Sequence, residues 1–520
     1  MVRFARLPAL ALLASLTVAT AQERPADHPP APAAPPAAAA QPAPPAAAAR
    51  PERRREAPAP QVAGPRLPPF KESRHAVALA GRTLDVVAGA GAITLNDAAS
   101  GAARMEIAFV SYRLAGGGAE RPIVFALNGG PGSASAWLHL GGLGPWRLAM
   151  EGEAVSPSAP PLLLPNDETW LDFADLVFVD PVGTGYSRLV VDDEATRRSV
   201  FSVEGDIDTL AVFVRRYLEQ SGRPASRKFI VGESYAGLRG PLMARRLQQR
   251  EAIGVDGLIL VSPALDLRRS RIVASAIGDA ALLPTMTAVA QARRGGFDAA
   301  GIAAAEAYAA SDHIVDLMKG RRDGAAQARI AERVAGFAGL DPALVREHGG
   351  RVSSWTFRRA IGRPEGRLPS AYDATVTVAD PAPGADHGGR FDAFTDGLST
   401  PLTGAMLDLL HARLGWKPEG RYRLSNAEVN RAWDWGRGRG GPEALSALSE
   451  AMSLDARLRV LVAHGYFDLV TPYFETKLAM QLLPDFGPRL SFAVYPGGHM
   501  FYSRRDSRAA FRDAAAVLMR

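Results

Sequence analysis

The chain has 520 residues, 47% of them hydrophobic, and a formal net charge of +6. That is enough apolar material for one large core or two domains. The absence of cysteine excludes disulfides, thiolate zinc sites and cysteine nucleophiles. The basic residues are scattered along the chain rather than gathered, which speaks against a nucleic-acid module.

In chain order, residues 1–21 read as a signal peptide. Arg3 and Arg6 precede an apolar run from Leu7 to Val18 that is too short to cross a bilayer. Ala19-Thr20-Ala21 forms the cleavage site, with cleavage expected after Ala21. The expectation is an exported protein, periplasmic or secreted. No later apolar run approaches the ~20 residues of a membrane helix, so no stable membrane insertion is expected. Residues 22–69 are dominated by Ala and Pro, with a short basic patch at Arg50 to Arg55. Such a segment buries no core and reads as a disordered linker.

From His75 to Leu114 polar and apolar residues alternate, as in antiparallel strands at a sheet edge. Continuous apolar runs follow at Ile123–Leu127, Leu176–Val179, Phe229–Val231 and Leu258–Val261. Helical patterns at Val203–Gln220 and Tyr235–Gln249 separate some of them. Buried parallel strands with crossover helices account for this order. Residues 70–264 are therefore expected to be the first part of an α/β core. Residues 265–455 are mostly helix-like, as in Ala299–Met318 and Ala325–Phe337, with a strand expected at Tyr372–Val378. They read as a mainly helical insertion capping the strand ends. Residues 456–520 return to the core with sheet-type runs at Arg459–Ala463 and Leu490–Tyr495.

The stretch Lys228-Phe-Ile-Val-Gly-Glu-Ser-Tyr-Ala-Gly237 reads as strand, sharp turn, helix, with Ser234 at the apex. This arrangement lifts a serine hydroxyl above the sheet and aims a helix N-terminus at it. The turn needs small residues two before and two after the serine, and Gly232 and Ala236 supply them. In isolation the same pentapeptide also suits a capping serine. A nucleophilic serine needs a base, and the base needs an acid to hold its tautomer. In α/β-hydrolase sheets these follow in the order Ser, Asp or Glu, His. Of nine histidines, only His464 and His499 lie in the final sheet segment, and only His499 follows the candidate acid Asp468. Asp468 and His499 each sit directly after a predicted strand, as Ser234 does. Asp485 is the alternative acid, placed after a predicted helix. The glycine loop Asn128-Gly-Gly-Pro-Gly132 follows another strand, and one of its backbone N–H groups could pair with that of Tyr235 as an oxyanion hole. Asp180-Pro-Val-Gly-Thr-Gly-Tyr-Ser187 reads as packing beside the site. Gly436-Arg-Gly-Arg-Gly-Gly441 has no preceding strand and reads as a basic loop, not a phosphate cradle.

Together these motifs resemble the serine carboxypeptidase family in a bacterial form, over roughly Ile123 to the C-terminus. The resemblance implies an α/β-hydrolase fold, a mostly parallel sheet flanked by helices with a helical cap. It implies Ser234, Asp468 and His499 as a triad, and the N–H groups of Gly130 and Tyr235 as the oxyanion hole. It also implies Asn128, Gly129 and Glu233 as the clamp for a substrate's terminal carboxylate. Peptide or protein C-termini are the implied substrates, with no metal and no cofactor. Ser133 departs from the family, many of whose members carry cysteine there, and the linker has no counterpart. An esterase or a proline-specific aminopeptidase would use the same fold. Asn128 and Glu233 favour capture of a carboxylate over an ammonium. A non-catalytic binding protein of this fold would not need the full set of Ser234, Asp468, His499 and Asn128.

Overall fold

The computed structural model describes residues 66–97, 99–270, 276–384, 391–436 and 441–520. Residues 1–21, expected as a signal peptide, residues 22–65 of the expected linker and residues 437–440 of the basic loop lie outside them. Among the described residues, nine strands form the path of one sheet. They are β1 Lys71–Leu79, β2 Arg82–Asn96, β3 Ala103–Leu114, β4 Ile123–Leu127, β5 Asp175–Val179, β6 Lys228–Glu233, β7 Gly257–Val261, β8 Arg459–Gly465 and β9 Leu490–Tyr495. Their spatial order is β1-β2-β3-β5-β4-β6-β7-β8-β9, and the two-residue strand Arg188–Leu189 adds to β3. The polar-apolar alternation of the first three strands yields antiparallel pairs. The continuous apolar runs yield parallel ones. This is an α/β-hydrolase fold.

The central parallel strands β4 and β7 are apolar and buried at every position because both faces are covered. Val124, Phe178, Val231 and Val261 face one core cluster, while Phe125, Val177, Ile230 and Leu260 face the other. Each fully buried side chain of this kind contributes about 1.5–3 kcal/mol. Helix α1, Val203–Gln220, and helix α2, Tyr235–Arg250, cover the second face with Leu210, Phe213, Leu238 and Met243. Helix α1 begins at Ser202, whose hydroxyl accepts from the Gly205 N–H.

Within residues 265–455 the packing is of two kinds. Helices between Ala276 and Gly362 build a third cluster around Leu283, Ile330 and Phe357, joined by Phe467 and Leu469 from the loop after β8. Helix Ala393–Leu407 instead packs on the first sheet face through Phe394, Leu398 and Leu402. Helix Leu445–Leu454 packs on the second through Leu445 and Leu448.

The helix-like run Ala299–Met318 forms two helices, Ala299–Ala309 and Asp312–Lys319, parted at Ala310 and Ser311. Two local expectations are corrected. The strand expected over Tyr372–Val378 shrinks to Thr377–Ala379, paired with Arg367–Pro369. Polar side chains turn the chain before it. The Ser370 hydroxyl accepts from the N–H groups of Tyr372 and Asp373, and the Asp373 carboxylate accepts from the Thr375 N–H. Residues 66–69, grouped with the linker, lie on the sheet. Arg66 donates to Glu106 at 2.5 Å, and Trp416 donates to the Pro68 carbonyl at 3.2 Å.

Candidate active site

Ser234 stands between β6 and α2 with φ +60° and ψ −121°, a left-handed backbone that a non-glycine residue adopts only under constraint. The constraint is visible. Its N–H donates to the Val261 carbonyl at 2.9 Å, and its carbonyl accepts from Gly237 (2.8 Å) and Ala264 (3.0 Å). The turn is tight enough that a Cβ on Gly232 would run into the Ala236 carbonyl. A Cβ on Gly129 would lie 2.5 Å from the Tyr235 nitrogen and 3.0 Å from the Ser234 Cβ. The glycine loop after β4 therefore lies directly against the serine turn, beside the N–H of Tyr235. Gly130 is exposed there, with φ +101°.

Asp468, in the loop after β8, and His499, in the loop after β9, are brought together. His499 Nδ1 and Asp468 Oδ2 are 2.7 Å apart, both buried. Asp468 is held by the N–H groups of Val470 (2.8 Å) and Thr471 (3.0 Å) and by the Thr471 hydroxyl (2.7 Å). That hydroxyl also lies 3.1 Å from His499 Nδ1. The backbone of His499 is pinned as well. Its N–H donates to the Tyr372 carbonyl at 2.5 Å, and its carbonyl accepts from the Ser262 hydroxyl at 2.8 Å. Ser262 itself has φ +43° at the end of β7. His499 Nε2 is buried and has no hydrogen-bond partner among the described residues. Burial works to lower the His499 pKa. The Asp468 charge, its hydrogen bond and the Glu233 charge outweigh it and raise the imidazole above 6.5.

Glu233, the last residue of β6, is buried. Asn128 Nδ2 donates to its Oε1 at 2.8 Å, and the Tyr502 hydroxyl donates to its Oε2. Burial pushes this carboxyl up to about 7. The His499 charge and the bonds from Tyr502 and Asn128 pull against burial, while the Asp468 charge adds to it. Asn128 is fixed in turn. Its Oδ1 accepts from the Leu138 N–H at 3.1 Å, and its carbonyl accepts from Arg239 at 2.5 Å. Arg239 is fully buried on α2 and pairs with Asp206 of α1 at 2.6 Å.

The residues singled out in the sequence thus stand at four strand ends, Asp468 bonded to His499, Asn128 bonded to Glu233, and Gly129 against the Ser234 turn. Asp485 does not. It is exposed and accepts from the Gly487 N–H in its own turn. His464 lies on β8 with both ring nitrogens unpartnered among the described residues, and burial lowers its pKa to about 3. Asp180 accepts from the N–H and hydroxyl of Ser135, as a packing role requires, and burial raises it to about 6. Thr471, Ser262, Arg239, Asp206 and Tyr502 carry no motif and were not found from the sequence. Only the Thr three residues after Asp468 could have suggested a local cap.

Residues 108–276 match the family described as "Serine carboxypeptidase". Over that segment the chain is similar to serine carboxypeptidases. Curated members of the family align with it over part of their length. Pheromone-processing carboxypeptidase KEX1 of Pyricularia oryzae is 32% identical over 133 residues, 25% of this chain and 19% of the relative. Serine carboxypeptidase-like 33 of Arabidopsis thaliana is 30% identical over 156 residues, 28% of this chain and 30% of the relative. The chain therefore spans less than a third of these relatives. The crystal structure of a prohormone-processing carboxypeptidase, KEX1(delta)p from Saccharomyces cerevisiae, superposes with a TM-score of 0.52 at 15% identity. It covers 84% of this chain and 91% of that one, a likeness of fold. The matched segment contains the glycine loop, the Asp180 loop and the serine turn. Asp468, His499 and Tyr502 lie beyond it.

Proposed function

We propose that this chain is an exported serine carboxypeptidase that releases C-terminal residues from peptides through an acyl-enzyme on Ser234. Ser234 Oγ attacks the scissile carbonyl, and His499 Nε2 takes its proton. Asp468 holds the imidazole through Nδ1 and stabilises the imidazolium as it forms. The N–H groups of Gly130 and Tyr235 face the developing oxyanion. His499 then returns the proton to the leaving amine, and water hydrolyses the ester through the same base. Asn128, the Gly129 N–H and Glu233 receive the substrate's terminal carboxylate. The pattern Arg3 to Ala21 supports export, and no helix among the described residues is long and apolar enough to cross a membrane.

One observation carries the choice of carboxypeptidase over other hydrolases of the fold. A buried acid, Glu233, directly precedes the candidate nucleophile and meets neutral donors on both oxygens. Its carboxyl, raised to about 7, is neutral over much of the mildly acidic range. A neutral acid can donate to a substrate carboxylate, whereas an ionised one repels it. Fluorophosphonate labelling and a panel of blocked dipeptides test the reading. The label should land on Ser234, and dipeptide acids should be cleaved in preference to their amides. A label elsewhere, or equal cleavage of acids and amides, rejects it.

A further inference from the structure

We propose that Tyr502 is a positioning residue of the carboxylate clamp, whose hydroxyl sets the pH above which Glu233 ceases to accept a substrate carboxylate. The inference rests on the reading of Glu233 as the group that meets that carboxylate. Tyr502 lies in the short turn Phe501–Ser503, three residues after His499, and is fully buried. Its ring packs on the backbone of Gly141 and Gly142, where a Cβ on Gly141 would run into it. Its carbonyl accepts from Arg508 at 3.1 Å. The ring is thus locked, and only the hydroxyl can rotate.

Each oxygen of Glu233 receives one neutral donor, Asn128 Nδ2 on Oε1 and the Tyr502 hydroxyl on Oε2. The facing groups are Asn128 after β4, Asp468 after β8, His499 and Tyr502 after β9, and Tyr372 from the turn before Thr377. Two of the roughly four lone-pair sites on the Glu233 carboxylate hold these donors, and a proton takes another. The Asn128 amide is tied through Oδ1 to the Leu138 N–H and cannot turn. A phenol both donates and accepts and rotates about its C–O bond. Of the two donors, Tyr502 is therefore the one that can adjust when Glu233 changes protonation. Its hydrogen bond favours the ionised acid and so limits the pH range of the neutral one. Removing the hydroxyl extends that range upward.

The test is the ratio of KM for a blocked dipeptide acid to KM for its matched ester, followed against pH. In the wild type the ratio should climb as Glu233 ionises. In Tyr502→Phe the midpoint of the climb should move up by about one pH unit, the size expected for losing one bond to a charged group. Tyr502→3-fluorotyrosine is nearly isosteric and a stronger donor, so it should move the midpoint down even if the Phe variant fails to fold. In a Glu233→Gln background neither change should alter the pH dependence. An unmoved midpoint, or a kcat loss equal for acid and ester with no shift, overturns the role of Tyr502. A wild-type ratio that does not climb at all removes the clamp reading, and this inference with it.

Discussion

Asp468 and Glu233 are both buried acids at the carboxyl ends of strands, yet they are held differently. Asp468 meets two backbone N–H groups, the Thr471 hydroxyl and the His499 imidazole. Glu233 meets one amide and one phenol. Two of the four groups on Asp468 come from the loop backbone, which fixes the carboxylate and through it the imidazole. The groups on Glu233 are side chains carried by distant segments, and burial raises its carboxyl to about 7. In the proposed mechanism, the contrast teaches how one site can keep one acid for orienting a base and another for exchanging a proton with substrate.

The widest break in that comparison is the loss of the proposed nucleophile, Ser234. Ser234→Ala should lower kcat by ~10⁶ for acids and esters alike, with an unchanged thermal midpoint. Steady-state kinetics and calorimetry check it. Asp468→Asn should cost about 10⁴ in kcat for both substrate types, because the imidazole loses its orienting carboxylate. A loss confined to peptide acids would mean that Asp468, not Glu233, faces the substrate. Arg239→Ala leaves Asp206 buried without its partner and frees the Asn128 carbonyl. Breaking such a pair costs about 3–5 kcal/mol, to be read by denaturant unfolding. The smallest effect is expected for Thr471→Val, which removes one hydroxyl from Asp468 while the backbone donors remain. About tenfold in kcat should be lost, equally for acid and ester.

The parts of the site that were legible in sequence are those whose geometry is local. Gly232 and Ser234 share a turn, so steric necessity writes itself into adjacent residues. Asp468 and His499 each directly follow a run that reads as a strand. What was missed depends on contacts between distant segments. Tyr502 meets Glu233 across 269 positions, and Arg239 reaches Asn128 across 111. Neither spacing has a period or motif. Tyr372–Val378 misled for another reason. Its β-branched residues suited a strand, but Ser370 and Asp373 bonded the backbone first and turned it. Of the helical stretch 265–455, composition foretold helices but not which of them would pack against the sheet.

Glu233 as a neutral donor to a carboxylate is tested most directly by KM against pH. The measurement uses one blocked dipeptide acid and its matched ester, in the wild type and in Glu233→Gln. The sign follows from the two shifts. Below about 7 Glu233 is neutral and the acid binds well, while His499, raised above 6.5, is partly protonated and slows turnover of both substrates. As pH rises, turnover recovers but Glu233 ionises. Wild-type KM for the acid should climb, approaching tenfold per pH unit, while KM for the ester stays level. In Glu233→Gln both should stay level, since Gln keeps a neutral donor at every pH. A wild-type KM for the acid that tracks that of the ester across the whole range would contradict the clamp and favour an esterase.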